Sequence, residues 1–227
     1  MNIIDSAANT LFNDEVKDLS MDILEVGIDT ILDNDILKEL PFVKTVHAVT
    51  KTSIAIKERF LVKKFLYFIN GFQSHAVEQN EVDKRKLAIK NNEKWIYHEI
   101  EYIVIYLDNI DSTTKSKLLG ILYNEYLSGK FDWERFCQLI EIVNKLLSYD
   151  IPLFTEFYKH CTNASEKEKG FHYDLTSCSR LTGLGLIEKD FDYGQDFSKY
   201  GNVFREGAYV YRITYSGKIL GRICCQL

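Results

Sequence analysis

Proline is almost missing from this chain: Pro41 and Pro152 are the two among 227 residues. Because proline is the strongest interrupter of a helix interior, its scarcity permits long helices over most of the length. Also missing is any unbroken apolar run of the roughly 18–20 residues that a membrane-spanning helix needs. Lys57 to Arg59 and Lys63-Lys64 interrupt the best candidate, so integral membrane insertion is not expected. Cysteine is sparse and unpatterned. Cys137, Cys161, Cys178, Cys224 and Cys225 have no metal-ligand spacing, and an odd set of scattered thiols fits a reducing, cytoplasmic setting better than a disulfide framework. The opening stretch MNIIDSAANTLFNDE has early acids and no basic n-region, so it does not read as a secretion signal. Phosphate-cradling loops are absent as well: Gly183-x-Gly185 lacks a preceding strand and the further glycine of a dinucleotide fingerprint, and there is no GKS or GKT. A net charge of -5 argues against a surface built throughout for nucleic acid.

What is present is ample core-forming material. With 46% hydrophobic and 13% aromatic residues the chain is not disordered, and its length suits one good core or a core plus a small appended domain. The charge is unevenly placed. Met1 to Leu40 holds ten acidic residues against Lys17 and Lys38, whereas Pro41 to Phe72 holds Lys44, Lys51, Lys57, Arg59, Lys63 and Lys64 against Glu58 alone. In that basic stretch Pro41 suits a first helical turn. Ile54, Ile56, Phe60, Leu61, Phe65, Leu66, Phe68 and Ile69 then recur at helix spacing, with Asn70-Gly71 as the expected stop. The six cations are the candidate partner-binding residues, offering a docking face to an acidic protein, a nucleic acid backbone or an anionic membrane surface. The competing reading is internal: the acidic helix expected from about 14 to 32 would attract the basic segment.

The rest of the first 161 residues reads as helix after helix, following a frayed lead of about ten residues. A highly charged, solvent-facing helix is expected from about Glu78 to Ile89. Buried stripes follow from Trp95 to Leu107, from Leu118 to Leu127 after a cap at Asp111 or Ser112, and from Trp133 to Leu147 after Asp132. A last helix is expected from Leu153 to about His160. Composition changes at Thr162 to Gly170, TNASEKEKG, the expected linker. Beyond it a helix over Asp174 to Gly185, a strand over Leu186 to Asp192, a long polar loop over Gly194 to Gly207, a strand over Ala208 to Thr214 and a final helix from Lys218 are expected. The fold class is therefore mainly α: a multi-helical domain over 12–161 and a small α+β, winged-helix-like domain over 171–227. L-x-x-L-G-L-I-E and Y-x-Y-R-I-T-x-x-G-K resemble the second half of a winged helix-turn-helix module.

No catalytic motif stands out, and no catalytic residue, cofactor or metal is assigned. His98 and Glu101 share a helix side with Glu99 next to them, but no second Glu-x-x-His completes a di-metal set, so a surface or edge role is expected for all three. Cys137 reads as a buried thiol. In the C-terminal part Arg180, Lys189, Arg205 and Arg212 are the candidate nucleic-acid contacts. Seven bases there face six acids, a weak excess for a DNA module.

The landmarks Leu40 to Val43, Ser53 to Phe60 and Lys63 to Phe68 resemble those of an uncharacterised family of bacterial helical proteins. Leu107 to Ile110, Leu118-Leu119-Gly120, Gly129-Lys130, Gly185-Leu186-Ile187, Tyr211 to Thr214 and Gly217 extend the likeness. That resemblance implies a link to accessory or phage-defence gene sets and transfers no catalytic residues. The function expected is non-enzymatic: protein interaction, self-association or regulation, in anti-phage defence or toxin immunity. A DNA-binding regulator is the first alternative, and an enzyme or metal protein with a site assembled between helices is the second.

Overall fold

The structure, a computed structural model, describes residues 2–13, 35–49, 56–162, 175–191, 203–206 and 209–227. Among the described residues there are eleven helices and three strands. The acidic helix expected over 14–32, Lys51, and residues 163–170 of the expected linker lie outside them. No described helix is long and apolar enough to cross a membrane. The chain forms two compact units, Met1–Ile140 and Glu141–Leu227.

The first unit begins with a helix where a frayed lead was expected. In α1 (Ile3–Leu11) the Asn2 side chain accepts from the Asp5 N–H at 2.8 Å, and Asp5 accepts in return from the Asn2 N–H. This capping box satisfies two of the donors that a helix start leaves open. The buried face of α1 is built from small residues, Ser6, Ala7, Ala8 and Thr10, with Leu11 at the end. After α2 (Asp35–Glu39), α3 (Pro41–Val49) packs against α1. The Phe42 N–H donates to Thr10 Oγ1 at 3.0 Å, and the Ser6 and Thr45 hydroxyls are hydrogen-bonded.

The centre of this unit is the crossing of α4 (Ile56–Phe72) with α7 (Thr113–Leu127). On α4, Leu61, Phe65, Leu66, Phe68 and Ile69 of the expected stripe are buried, joined by Val62 and Phe72, whereas Ile56 and Phe60 of that stripe are exposed. Phe42 stacks on Phe65 with centroids 4.0 Å apart, and Tyr123 lies among Phe68, Phe72 and Phe136. Helix α4 ends at Phe72, one residue past the expected stop at Asn70-Gly71. Gly71 also lets the α7 backbone come close, since a Cβ there would meet the Lys117 carbonyl oxygen within 2.1 Å. Gly120 is its counterpart, its missing Cβ leaving room for the Phe68 carbonyl. The end of α4 is instead closed by Asn124, whose Nδ2 donates to the carbonyls of Phe72 at 2.6 Å and His75 at 2.7 Å. Helices α5 (Gln79–Lys90), α6 (Lys94–Asn109) and the first part of α8 (Trp133–Lys145) complete the unit. Ser112 caps α7 by accepting from the Lys115 N–H, and Asp132 caps α8 by accepting from the Arg135 N–H at 2.8 Å.

The second unit contains the end of α8, α9 (Asp150–Thr162), α10 (Leu175–Gly183), a three-stranded sheet and α11 (Tyr215–Cys224). Strands β1 (Ile187–Phe191), β2 (Val203–Glu206) and β3 (Tyr209–Ile213) are arranged β1-β3-β2, with β3 central and antiparallel to both. Strand β2 falls inside the stretch read as a polar loop. Val203 and Phe204 suit a strand, and only two residues separate β2 from the β3 partner it pairs with, from Val203↔Arg212 to Glu206↔Tyr209. Helix α11 starts three residues before Lys218, since the Thr214 side chain caps it by accepting from the Gly217 N–H at 3.0 Å. The sequence reading places the domain break at Thr162–Gly170, whereas the compact units divide inside α8. Helix α9 belongs with the C-terminal part because it packs on α11 and touches β2 and β3.

Candidate functional site

The cations singled out in the basic stretch do not form one open face. Lys44 pairs with Glu39, and Lys57 pairs with Asp108 at 2.9 Å while remaining largely exposed. Lys63 reaches over the Tyr67 ring, 5.9 Å from its centroid, and Arg59 is half-buried. Lys51 lies outside the described residues. Lys64 is a correction to the partner-binding set: its side chain is 3% exposed and points inward. Its Nζ donates to the carbonyls of Asp108 at 2.9 Å and Ile110 at 3.0 Å, with the Phe60 ring beside it. These carbonyls belong to the end of α6, where a helix leaves acceptors open and gathers partial negative charge, so a buried ammonium fits there. Burial lowers the Lys64 pKa, with Asp108 acting in the opposite direction.

In the second unit, Arg180 holds the buried Asp150 with two parallel bonds, Nε to Oδ2 at 2.7 Å and Nη2 to Oδ1 at 2.6 Å. Nη2 also reaches Ser177 Oγ. Arg212 pairs with Asp190 at 2.8 Å and with Glu188 across the β1–β3 ladder, and Lys189 lies over the Tyr211 ring. The backbone of Arg205 pairs with Val210 in the sheet, while its side chain lies outside the description. Two of the four candidate nucleic-acid contacts are thus engaged by carboxylates of their own unit.

Among the described residues no group of three or more His, Cys, Asp or Glu side chains gathers as a metal site. Cys137 is half-buried, Cys161, Cys178 and Cys224 are buried, and Cys225 is exposed. Burial pushes the Cys224 thiol up to about 12, which makes it a poor nucleophile.

The site that sequence reasoning missed surrounds Arg85. Helix α5 is polar almost throughout, as expected, but Arg85 and Ala88 are buried. Arg85 Nη1 bonds Glu81 Oε2 at 2.6 Å, and Nη2 bonds Glu99 Oε1, from α6, at 3.2 Å. Its guanidinium carbon sits 5.6 Å from the Trp95 centroid and 5.7 Å from that of Tyr126, between two aromatic walls. Glu99, expected at a surface or edge, is 4% exposed, while His98 and Glu101 beside it face solvent. Arg85 Nε, Glu99 Oε2 and the Tyr123 hydroxyl are buried without a partner of hydrogen-bonding geometry. Desolvation raises the Glu99 pKa against the opposing pull of Arg85, and burial together with Glu99 pushes Tyr126 up to about 12. The Arg85 guanidinium stays charged: burial alone would lower its pKa, but Tyr123 and Glu99 raise it. Next to this cluster lies a cleft of about 450 Å³ whose lining includes Glu81, Lys84, Arg85, Trp95, Tyr126 and Phe131. The only sequence signal was Glu81 and Arg85 at i,i+4 on a helix with no apolar stripe, a pattern equally at home on a solvated face.

No family model, curated protein or solved structure matches this chain. The likeness to an uncharacterised bacterial family therefore rests on the sequence landmarks alone; the structure itself is mainly helical.

Proposed function

We propose that this is a non-enzymatic interaction or regulatory protein of the cytoplasm, acting in anti-phage defence or toxin immunity as the family likeness implies. The observation that supports it most is the start of α4. Ile56, 88% exposed, and Phe60, 38% exposed, share a helix face with Lys63, and Lys57 stands next to them. Apolar side chains in water beside cations suit an amphipathic, acidic protein surface. The test is affinity capture from the native host with the intact chain and with a Lys57→Glu/Lys63→Glu variant. The expected result is a partner lost in the variant while circular dichroism is unchanged. Equal capture by both proteins, or none by either, overturns the reading.

In the second unit, α10 followed by the β1-β3-β2 sheet supports a winged-helix-like reading. Duplex DNA binding through Lys189 and Arg205 is the second function that arrangement favours. It ranks lower because Arg180 and Arg212 already face Asp150 and Asp190.

A further inference from the structure

The cleft beside Arg85 has the features of a recognition site for a small molecule. Its volume of about 450 Å³ falls in the range of ligand pockets, roughly 300–1,000 Å³. One side is aromatic: Trp95 is 39% exposed at the rim, and Tyr126 and Phe131 are half-buried. The other side carries one open donor. Lys84 Nζ lies over the Trp95 ring at 5.8 Å and stands 4.0 Å from Glu81 Oε1, so its N–H groups remain available in the cleft. Arg85, itself 3% exposed, backs the lining, and its Nε–H is buried away from solvent. The one carboxylate on this wall, Glu81, is already drawn to Arg85 at 2.6 Å. A ligand entering here therefore meets flat π-faces and the Lys84 ammonium.

We infer that this cleft binds an anion attached to a flat ring, the ring against Trp95, Tyr126 and Phe131 and the acidic group at Lys84. A nucleoside monophosphate and an aromatic carboxylate share that chemistry. Ring and charge act together here, because the exposed Lys84 stands near Glu81 and a bare anion would gain little. The site goes beyond the partner surface on α4 and does not depend on it.

The chain has two tryptophans, Trp95 and Trp133, so a Trp133→Phe variant leaves Trp95 as the sole indole reporter. Its fluorescence is titrated with the four common nucleoside 5′-monophosphates, benzoate and indole-3-acetate. Adenosine serves as a ring without charge, and inorganic phosphate and acetate as charge without a ring. The expected result is a saturable change with at least one ring-bearing anion, about tenfold tighter than with its ring-only or charge-only counterpart. Lys84→Gln, at an exposed position, is expected to weaken that binding about tenfold, the loss of one charge-assisted contact. Saturation by phosphates alone assigns a nucleotide, and by carboxylates alone an aromatic acid. Ligand-observed NMR on the unsubstituted chain gives the same reading without the Trp133 change. No saturation by any ring-bearing anion in the millimolar range, equal affinity for adenosine, or unchanged affinity in Lys84→Gln overturns the inference.

Discussion

Helices α4 and α5 follow one another in the chain and are fixed to the same unit by opposite means. Helix α4 buries nine of its seventeen residues, eight of them apolar side chains or glycine, and α7 crosses it at backbone contact. Helix α5 buries only Arg85 and Ala88 of twelve and is tied to α6 through the Arg85 guanidinium on Glu99 and Trp95 and the Tyr97 hydroxyl on the Ile89 carbonyl, and to α7 through the Tyr126 ring. The first attachment is non-directional and proportional to area. The second depends on one ion pair whose desolvation cost is close to its Coulombic gain. Hence the two helices should respond differently to substitution and to pH.

The largest effect is expected at the crossing. Gly120→Ala places a Cβ about where the Phe68 carbonyl oxygen lies, 2.0 Å away, and backbone has no rotamer by which to escape. A loss of more than about 3 kcal/mol is expected, read from the urea midpoint, with a failure to fold as the extreme. A wild-type midpoint for this variant would mean that the two helices do not touch there.

Removing the tether of α5 comes next. Arg85→Met leaves the Glu99 carboxylate buried without its cation and is expected to cost about 2–3 kcal/mol at neutral pH, somewhat less than for a pair that cannot relieve itself by taking up a proton. Adding Glu99→Leu should recover most of that loss, because an apolar pair of similar volume avoids the desolvation of both ions. Equal stability of the single and double variants would show that Arg85 acts through packing alone.

The smallest effect is a slope. Burial holds the folded Glu99 pKa above its ordinary value of 4.5, so between 4.5 and the raised value the folded chain binds more protons than the unfolded one. This carboxyl's stabilising contribution is complete below 4.5 and is lost as pH rises through the folded pKa. Glu99→Gln should therefore flatten the fall in urea midpoint across that window, leaving the slope due to other groups. An unchanged slope would place the Glu99 pKa at its ordinary value.

The same contrast explains what was legible in the sequence. Helix α4 declared itself through Phe65, Leu66, Phe68 and Ile69 at helical spacing, and the caps at Ser112 and Asp132 were readable from residue type. Helix α1 was not, because Ala7, Ala8, Ser6 and Thr10 bury a face without forming an apolar stripe. Asn70-Gly71 marks the helix end to within one residue, but the second reason for a glycine there, the α7 backbone, comes from 46 positions later. Lys64 and Arg85 look like any solvated cation in one dimension. What buries them is the α6 carbonyl end in one case and Glu99 in the other, and neither partner lies within the helix that carries the cation. Strand β3 was visible through its aromatic and β-branched content, and β1 falls in the stretch Leu186 to Asp192 that reads as a strand, whereas β2 is a short edge strand of four residues.

Asn124 has a consequence for the order in which this unit takes shape. Its single amide nitrogen closes two carbonyls on either side of the turn that leads from α4 towards α5, and it arrives from α7 across 52 and 49 positions of sequence. The direction in which the chain leaves α4 is therefore dictated by a late-synthesised residue. On the ribosome that turn has only its local bonds, Gln73 N–H to the Ile69 carbonyl and Ser74 N–H to that of Gly71, and the Asn124 clamp is added once α7 has docked.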